Sequence, residues 1–325
     1  MNPNLYHELL NHLQRSLSRP LNRRQFLKLQ ARCAAVTCLS VSGLSIPSML
    51  YGGSSYPDIA VAKGTPGPAA RAAVGGIGGM KRFIKPGDNV VIKPNMSFSF
   101  TREPASNTNP EVVRELVAMS REAGAARVRV LDHPLRSREL CIEGVKKACS
   151  IFDEDIVQGI DQSRFFKESP IPEGKSFKKT EVMKDVLDAD VLIAAPVAKS
   201  HSSTGVSLSM KGMMGLIWNR SIMHYRYDLS TAIVDLNTLL TPDLVVIDAT
   251  RVLSTNGPAG PGEVLSINRV IASTDMVAAD AQAVAMCEWY GRKIQPKQVK
   301  HILLAHERGL GRMDIENLWI KTINT

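Results

Sequence analysis

The sequence predicts an α/β fold with a mainly parallel or mixed sheet covered by helices on both faces. From residue 57 onward, short apolar and β-branched runs alternate with stretches of helical periodicity, as in repeated βα units. Several of these runs are apolar throughout, as expected of strands that are covered on both faces. The chain has 325 residues, enough to bury a full core. We predict a leader over residues 1–50 and one α/β domain over residues 57–325.

The predicted elements follow one another in a regular order. The predicted strands cover residues 58–63, 89–95, 127–132, 190–197, 243–248, 268–273 and 317–323. The predicted helices cover residues 109–125, 137–150, 229–240, 275–291 and 297–311. For the first of these helices, Thr108 or Asn109 is the expected N-cap, Pro110 fits the first turn and Gly124 is the expected stop; Asp275 caps the fourth. Residues 153–182 are predicted to form an irregular, charged stretch.

The first 50 residues resemble a twin-arginine (Tat) export signal. Arg23, Arg24, Phe26, Leu27 and Lys28 follow the consensus, and a moderately apolar segment of about 20 residues comes next. An amphipathic helix with a chance arginine pair is the alternative. We expect a periplasmic or otherwise exported protein, with the Tat machinery as a partner. Membrane contact is expected only through this leader, cleaved or retained as an anchor.

Charge and aromatic content argue against nucleic acid as a partner. The formal net charge is +9, but six of the 40 Lys+Arg residues and one of the 31 acidic residues lie in residues 1–50. The predicted domain is therefore only mildly basic. It has no dense basic stripe interleaved with aromatic residues, and aromatic residues make up 5% of the chain.

The cysteines beyond the leader predict buried free thiols. Cys141, Cys149 and Cys287 form no C-x-x-C motif, so a ferredoxin-type iron–sulfur cluster is not encoded. Cys141 and Cys149 lie in one predicted helix, about 12 Å apart along its axis. That distance is too long for a disulfide.

Polar residues cluster where the predicted strands end. Lys93 and Asn95 follow one strand, Lys199 and His201 follow a second, and Asp248 ends a third. In open α/β sheets, ligands bind at the carboxyl ends of the strands. We therefore predict a single site built from several loops, in which Lys93, Asn95, Lys199 and Asp248 bind the ligand. The Gly/Pro-rich segment 254–263 is interpreted as an active-site loop.

The stretch VAKSHSSTGVSLSMKGMMG, residues 197–215, carries the strongest indication of a site. Lys199 and His201 are expected in a loop, and Lys211 lies among apolar and glycine residues, where an unpaired ammonium is costly to bury. Lysines and hydroxyls suit a carboxylate or phosphate ligand, and histidine titrates or binds metal. We predict His201, His224 and Lys211 as catalytic residues and the two histidines as candidate metal ligands. Asp280, alone in an Ala/Val-rich helix, is a further candidate for ligand binding.

Seven segments together resemble the family known as domain of unknown function 362 (DUF362). They are IKPN (92–95), TNPEVV, DVLIAAPVAKSH, MKGMMG, VVIDAT, GPAGPG and STDMVAAD, in the family's order over roughly residues 57–310. Many relatives carry a ferredoxin-like iron–sulfur module that this chain lacks. Relatives often have glycine where this chain has Ala249. The resemblance implies the fold and the site but no particular reaction.

A second resemblance concerns the spacing of His201, Lys211 and His224. It is similar to the region that holds the nickel-pincer cofactor in lactate racemase-type enzymes, where a lysine tethers the cofactor and histidines ligate metal or move protons. This resemblance implies a Lys211-linked cofactor or a bound metal.

Three functions therefore stay open from the sequence. The first is an exported enzyme that acts on a small anionic metabolite, with lysines binding the anion and His201 or His224 as acid and base. The second is a nickel-pincer racemase or epimerase. The third is an exported protein that binds a ligand or metal without catalysis.

Overall fold

The computed structural model describes residues 55–99, 105–153 and 155–325, and elements are numbered within these ranges. Its centre is an 11-stranded sheet, with a separate two-stranded sheet beside it. The strands are β1 Ile59–Lys63, β2 Asn89–Pro94, β3 Arg127–Asp132, β4 Val157–Gly159, β5 Phe166–Pro170, β6 Lys179–Met183, β7 Val191–Ala195, β8 Val197–His201, β9 Gly205–Ser207, β10 Leu244–Leu253, β11 Val264–Leu265, β12 Arg269–Ser273 and β13 Ile320–Asn324. The predicted leader lies outside the described residues.

The main sheet is mostly parallel. Its strands lie in the order β13-β1-β12-β10-β7-β2-β3-β4, with β8 and β11 paired to β10 and β9 paired to β8. Along this order β12 is antiparallel to both of its neighbours, while the other adjacent pairs are parallel. The short connection from β10 to β12 holds no crossover helix, which suits an antiparallel return.

Helices cover both faces of this sheet. They are α1 Pro66–Gly76, α2 Pro110–Glu122, α3 Arg138–Ala148, α4 Lys184–Asp188, α5 Ser209–Gly212, α6 Ile222–Tyr225, α7 Leu229–Leu239, α8 Met276–Met286 and α9 Lys300–Glu307. Alternate residues of one strand enter two different cores: Ile59 and Val61 pack with α7, α8 and α9, whereas Ala60 and Ala62 pack with α1 and α2. The α/β prediction with helices on both faces is therefore confirmed.

The predicted helix ends agree with the observed ends where a capping residue is present. Asn109 is the N-cap of α2, and its side chain accepts a hydrogen bond from the Glu111 N–H, while Gly124 adopts a φ of +98° just beyond the last turn. Asp275 caps α8 as predicted. The helix expected to reach residue 291 instead ends at Met286, because the chain turns to bury Trp289, whose indole N–H donates to the Val284 carbonyl.

Two stretches contain more β-structure than the sequence indicates. The single strand predicted over residues 190–197 is divided at Pro196 into β7 and β8, since proline has no N–H for a sheet ladder. Lys199 and His201, expected in a loop, lie in β8, which forms a hairpin with β9. The stretch expected to be irregular contains the β5–β6 hairpin.

The three described cysteines are buried free thiols, as predicted. Burial raises the pKa of Cys149 and of Cys287 to about 12. Thiols with such pKa values carry almost no thiolate near neutral pH and are poor nucleophiles.

Candidate active site

A cavity of about 290 Å³ opens at the carboxyl ends of β2 and β8. Six of the predicted site residues line it: Lys93, Asn95, Lys199, His201, Lys211 and His224. The strand order explains this meeting, because β2 and β8 both lie beside the β7–β10 part of the sheet. Residues far apart in sequence thus converge on one concave space, as expected for a ligand site in an α/β sheet.

Lys93 enters the cavity from β2 with a buried carboxylate beside it. Its Nζ lies 3.0 Å from Asp132 Oδ1 and donates to the Pro94 carbonyl at 2.6 Å. Burial lowers the pKa of Lys93, although Asp132 opposes the shift. A Cβ on Gly215 would lie only 2.3 Å from Asp132 Oδ1, so this ion pair needs glycine at that position.

Lys199 points into the cavity from β8. Its Nζ donates to the Ser106 carbonyl at 2.6 Å and lies 4.5 Å from the centre of the Phe98 ring. A lysine over an aromatic face is held by the ring quadrupole and still carries its charge. Lys199 is therefore a fixed cation on the cavity wall.

Lys211 is the least compensated cation of the cavity. It lies in α5, and the Met214 sulfur at 3.9 Å is its hydrogen-bond partner among the described residues. Burial, together with the nearby charges of Arg220 and Lys93, lowers its pKa to about 8. A fraction of Lys211 is therefore a neutral amine near physiological pH.

Arg220 is a functional candidate that sequence reasoning missed. Its guanidinium lines the cavity and donates to the carbonyls of His133 and Pro134 at 2.7 and 3.1 Å. It follows Trp218 in a segment without a strand or a recognisable motif. Nothing in the sequence pattern marks it, because its position depends on the chain folding back over β3.

The two cavity histidines differ in their surroundings. His201 is 6% exposed, and its Nδ1 accepts a hydrogen bond from the Ser203 N–H at 3.1 Å, so its neutral form carries the proton on Nε2. Burial, Lys211 and His224 lower the pKa of His201 to about 3. His224 is exposed, and its ring centroid lies 6.4 Å from that of His201. Burial and Lys211 also lower the pKa of His224.

Asn95 joins the two strands that carry the lysines. Its side-chain oxygen accepts from the Val197 N–H at 2.9 Å, at the start of β8. Its own backbone N–H donates to the Thr108 hydroxyl. Asn95 is thus both a lining residue and a structural clasp between the end of β2 and the start of β8.

Asp280 does not line the cavity, which corrects the expectation of ligand contact. It is fully buried in α8 and accepts hydrogen bonds from the Ser209 N–H, the Ser209 hydroxyl and the Met210 N–H at 2.6–3.0 Å. Burial raises its pKa to about 7. Because Ser209 and Met210 begin α5, Asp280 positions the helix that carries Lys211.

Asp248 likewise lies outside the cavity, contrary to the expectation. It is fully buried, and its oxygens accept from the Thr250 N–H and hydroxyl and from the Asn109 N–H. Burial raises its pKa. The strand predicted to end at Asp248 continues as β10 to Leu253, and donors from Thr250 and from the N-cap of α2 occupy the carboxylate oxygens.

The Gly/Pro-rich segment reaches the cavity through Pro258. The Gly257 N–H donates to the Ser200 hydroxyl at 2.9 Å, and a Cβ on Gly257 would lie 1.9 Å from the Ser200 carbonyl oxygen. Glycine is therefore required at residue 257 for this close approach. The predicted loop forms part of the cavity wall.

A buried imidazole outside the cavity lining was also missed. His301 in α9 has no exposed surface, and neither of its ring nitrogens has a hydrogen-bond partner among the described residues. Burial lowers its pKa to about 3, with a further contribution from the Lys211 charge. It interrupts the apolar pattern of α9, which was the available sequence indication.

The described residues contain no group of three or more His, Cys, Asp or Glu side chains arranged to hold a metal ion. Among the same residues, no helix is both long and apolar enough to cross a membrane.

The family model described as domain of unknown function (DUF362) matches residues 90–285. The chain belongs to this family. The matched range contains every predicted site residue and Arg220 as well. This DUF362 protein is also 27% identical over 213 residues to a thylakoid-associated protein of Synechocystis sp.. That match covers 63% of this chain and 64% of the relative.

Among solved structures, the lactate racemase apoprotein from Thermoanaerobacterium thermosaccharolyticum is similar, with a TM-score of 0.46 and 14% identity. The similarity covers 70% of this chain and 57% of that chain.

Proposed function

We propose that this DUF362 protein is an enzyme that acts on a small anionic metabolite, a carboxylate or a phosphate. The observation that supports this is the composition of the cavity. Four cations (Lys93, Lys199, Lys211 and Arg220) and two histidines line it, and no described lining residue is a carboxylate. Lys93 pairs with Asp132, but Lys211 and Arg220 have no carboxylate within ion-pair distance among the described residues, and an anionic ligand offsets the cost of burying them.

In this proposal the lysines hold the anion and a histidine moves the proton. His224 is the better placed proton carrier, because its ring is open to solvent and has no hydrogen bond to a described residue. Burial is the main cause of the lowered pKa of His224, and the charges of Lys211 and Arg220 add to it; an anion that neutralises these two charges raises the pKa again. His201, with Nδ1 already occupied, presents its Nε2–H to a ligand oxygen.

Substitution of the histidines tests catalysis against simple binding. His201→Gln and His224→Gln are compared with Tyr225→Phe, a change at an 84% exposed neighbour of His224. Turnover is measured by mass spectrometry on a panel of hydroxy acids and phosphate esters, and binding of the same compounds by calorimetry. An enzyme loses turnover in H224Q while binding persists. If wild type binds compounds but converts none, the protein is a receptor for an anionic ligand or a metal.

A second candidate is an enzyme with a lysine-linked metal cofactor of the racemase type. The specific observation is the Lys211 amine, whose pKa of about 8 makes it partly neutral and therefore nucleophilic. It shares its cavity with the imidazoles of His201 and His224, so these residues fit such a group. When bound, the group would supply hydride or proton transfer at a carbon centre. The test is intact-mass measurement and metal analysis of protein purified from its native host. A covalently linked cofactor would appear as a mass adduct on Lys211.

We also propose that residues 1–50 direct export through the Tat machinery, with any membrane contact confined to them. The support is the motif at Arg23 and Arg24. The full chain is followed by cell fractionation, with Arg23→Lys/Arg24→Lys as the variant and Arg15→Lys/Arg19→Lys as the control. If the Arg23→Lys/Arg24→Lys variant is exported as efficiently as the wild type, this proposal is wrong.

A further inference from the structure

We propose that the cavity selects compact dianions, ligands that carry two negative charges close together. This inference rests on the proposed function, because it specifies the anion that the same site binds. The chemistry shared by a phosphate monoester and a short dicarboxylate is a charge of −2 on a small frame. The observations that support it are the number of cavity cations without a carboxylate partner and the size of the cavity.

The first step is the count of charges around Asp132. Lys93 lies 3.0 Å from Asp132, so this pair is close to neutral. Lys211 and Arg220 have no carboxylate partner among the described residues; a methionine sulfur and backbone carbonyls are their contacts. Lys211 and Arg220 therefore leave at least two positive charges for a ligand to neutralise.

The second step is that these charges act on one another. The pKa of Lys211 is lowered by Arg220 and by Lys93, and the pKa of Lys93 is lowered by Arg220. Cations that repel one another in this way share one small region of the cavity. A monoanion compensates one of the two open charges, whereas a dianion compensates both.

The third step is size. The cavity has a volume of about 290 Å³, and Phe98, Leu135 and Met214 contribute apolar wall beside the cations. A volume at the lower end of ligand pockets suits a compact metabolite. A dianion with its charges far apart would place one of them against this apolar wall.

The test uses pairs of probes that match in shape and differ in charge. Calorimetry on the full-length protein at pH 7.5 compares methyl phosphate with methyl sulfate, and succinate with butyrate. In at least one pair the dianion is expected to bind about tenfold tighter or better. The pair that discriminates identifies the source of the charge, a phosphoryl group or a dicarboxylate.

Variants link this preference to the named cations. Lys211→Met and Arg220→Met should each reduce the preference about tenfold, as expected for loss of one of two charges. Lys321→Met is the matched control, because it removes a cation from the exposed face of β13, away from the cavity. It should leave the preference unchanged, and circular dichroism checks that each variant is folded.

The outcomes separate this inference from the proposed function. Equal binding of mono- and dianions, with both abolished in K211M, would overturn the dianion preference and leave an anion site in place. A preference that K321M reduces as much as K211M would also overturn it, because the effect would then come from net charge. If wild type binds none of the four probes, the anion site and the inference fail together.

Discussion

Buried cations and buried carboxylates occupy two different environments in this protein. Lys211 and Arg220 face a cavity with no carboxylate partner among the described residues. Asp235, Asp248 and Asp280 are fully buried, and each accepts at least three hydrogen bonds. The carboxylates thus fix backbone segments, while the cations are left for a ligand. Burial of a charged group therefore indicates binding only where the fold provides no partner for it.

The largest expected effect on stability comes from removing one of these carboxylates. Asp235 accepts from the Lys175, Ser176 and Phe177 N–H groups and from Arg308, whose side chain is 13% exposed. Asp235→Ala leaves three backbone donors without a partner and removes the carboxylate that pairs with Arg308, and should lower the free energy of unfolding by about 3–5 kcal/mol. Urea denaturation measures this.

The control for Asp235 is an exposed ion pair. Glu168→Ala breaks the contact with Lys179 in the β5–β6 hairpin and should leave the urea midpoint unchanged, because surface pairs contribute little. Binding of the anionic probes should survive both changes wherever the variant is folded. Loss of probe binding in folded D235A would show that this carboxylate acts on the cavity as well as on the backbone.

The next largest effect should have the opposite sign. Lys211 has a pKa of about 8 in the folded protein, below its ordinary value of 10.5, so the folded state binds fewer protons between these two pH values. The resulting cost is fully present below pH 8 and decreases as the pH rises toward 10.5. Lys211→Met should therefore raise stability by about 3 kcal/mol at pH 7.5 and by less at pH 10.

Denaturation of K211M and wild type at both pH values checks this, with K321M as the charge-matched control. A gain in stability together with loss of anion binding is the pattern of a residue kept for function. A K211M protein that is less stable than wild type at pH 7.5 would mean that Lys211 contributes to the fold, and the contrast with the carboxylates would not hold.

The sequence predicts the sheet and most of the cavity because both depend on local patterns. Apolar runs define β2, β7, β10 and β12, and a lysine or histidine at a strand end is placed by the parallel sheet itself. Asp248 and Asp280 lie outside the cavity, which the sequence does not reveal, because a carboxylate in a strand or in an apolar helix looks the same in sequence whether a ligand or a backbone N–H contacts it. Arg220 was missed because its place depends on tertiary contacts with His133 and Pro134.

The smallest expected effect concerns Asp132, a buried carboxylate that both accepts hydrogen bonds from its own fold and pairs with a cation of the cavity. It accepts from the Met96 N–H and the Ser97 hydroxyl, as the other buried acids accept from the backbone, and it also pairs with Lys93 in the cavity. A Cβ at Gly215 would lie 2.3 Å from Asp132 Oδ1 and 2.8 Å from Lys93 Nζ. Gly215→Ala must therefore push the pair apart, at a cost of about 1–2 kcal/mol.

Gly212→Ala is the matched control for this change, three residues earlier on the same cavity wall. Its Cβ would meet only Pro196 Cβ, at 3.8 Å, and alanine favours the helix α5, so its stability should equal or slightly exceed that of wild type. Urea denaturation and methyl phosphate binding are measured for both variants. G215A should lose stability and affinity together, because displacing Lys93 from Asp132 disturbs both the hydrogen bonds from Met96 and Ser97 to Asp132 and the position of the cation. If G215A and G212A have the same stability and the same affinity for methyl phosphate, the Lys93–Asp132 pair separates without cost. The role of Asp132 is then to fix the backbone, as for the other buried carboxylates.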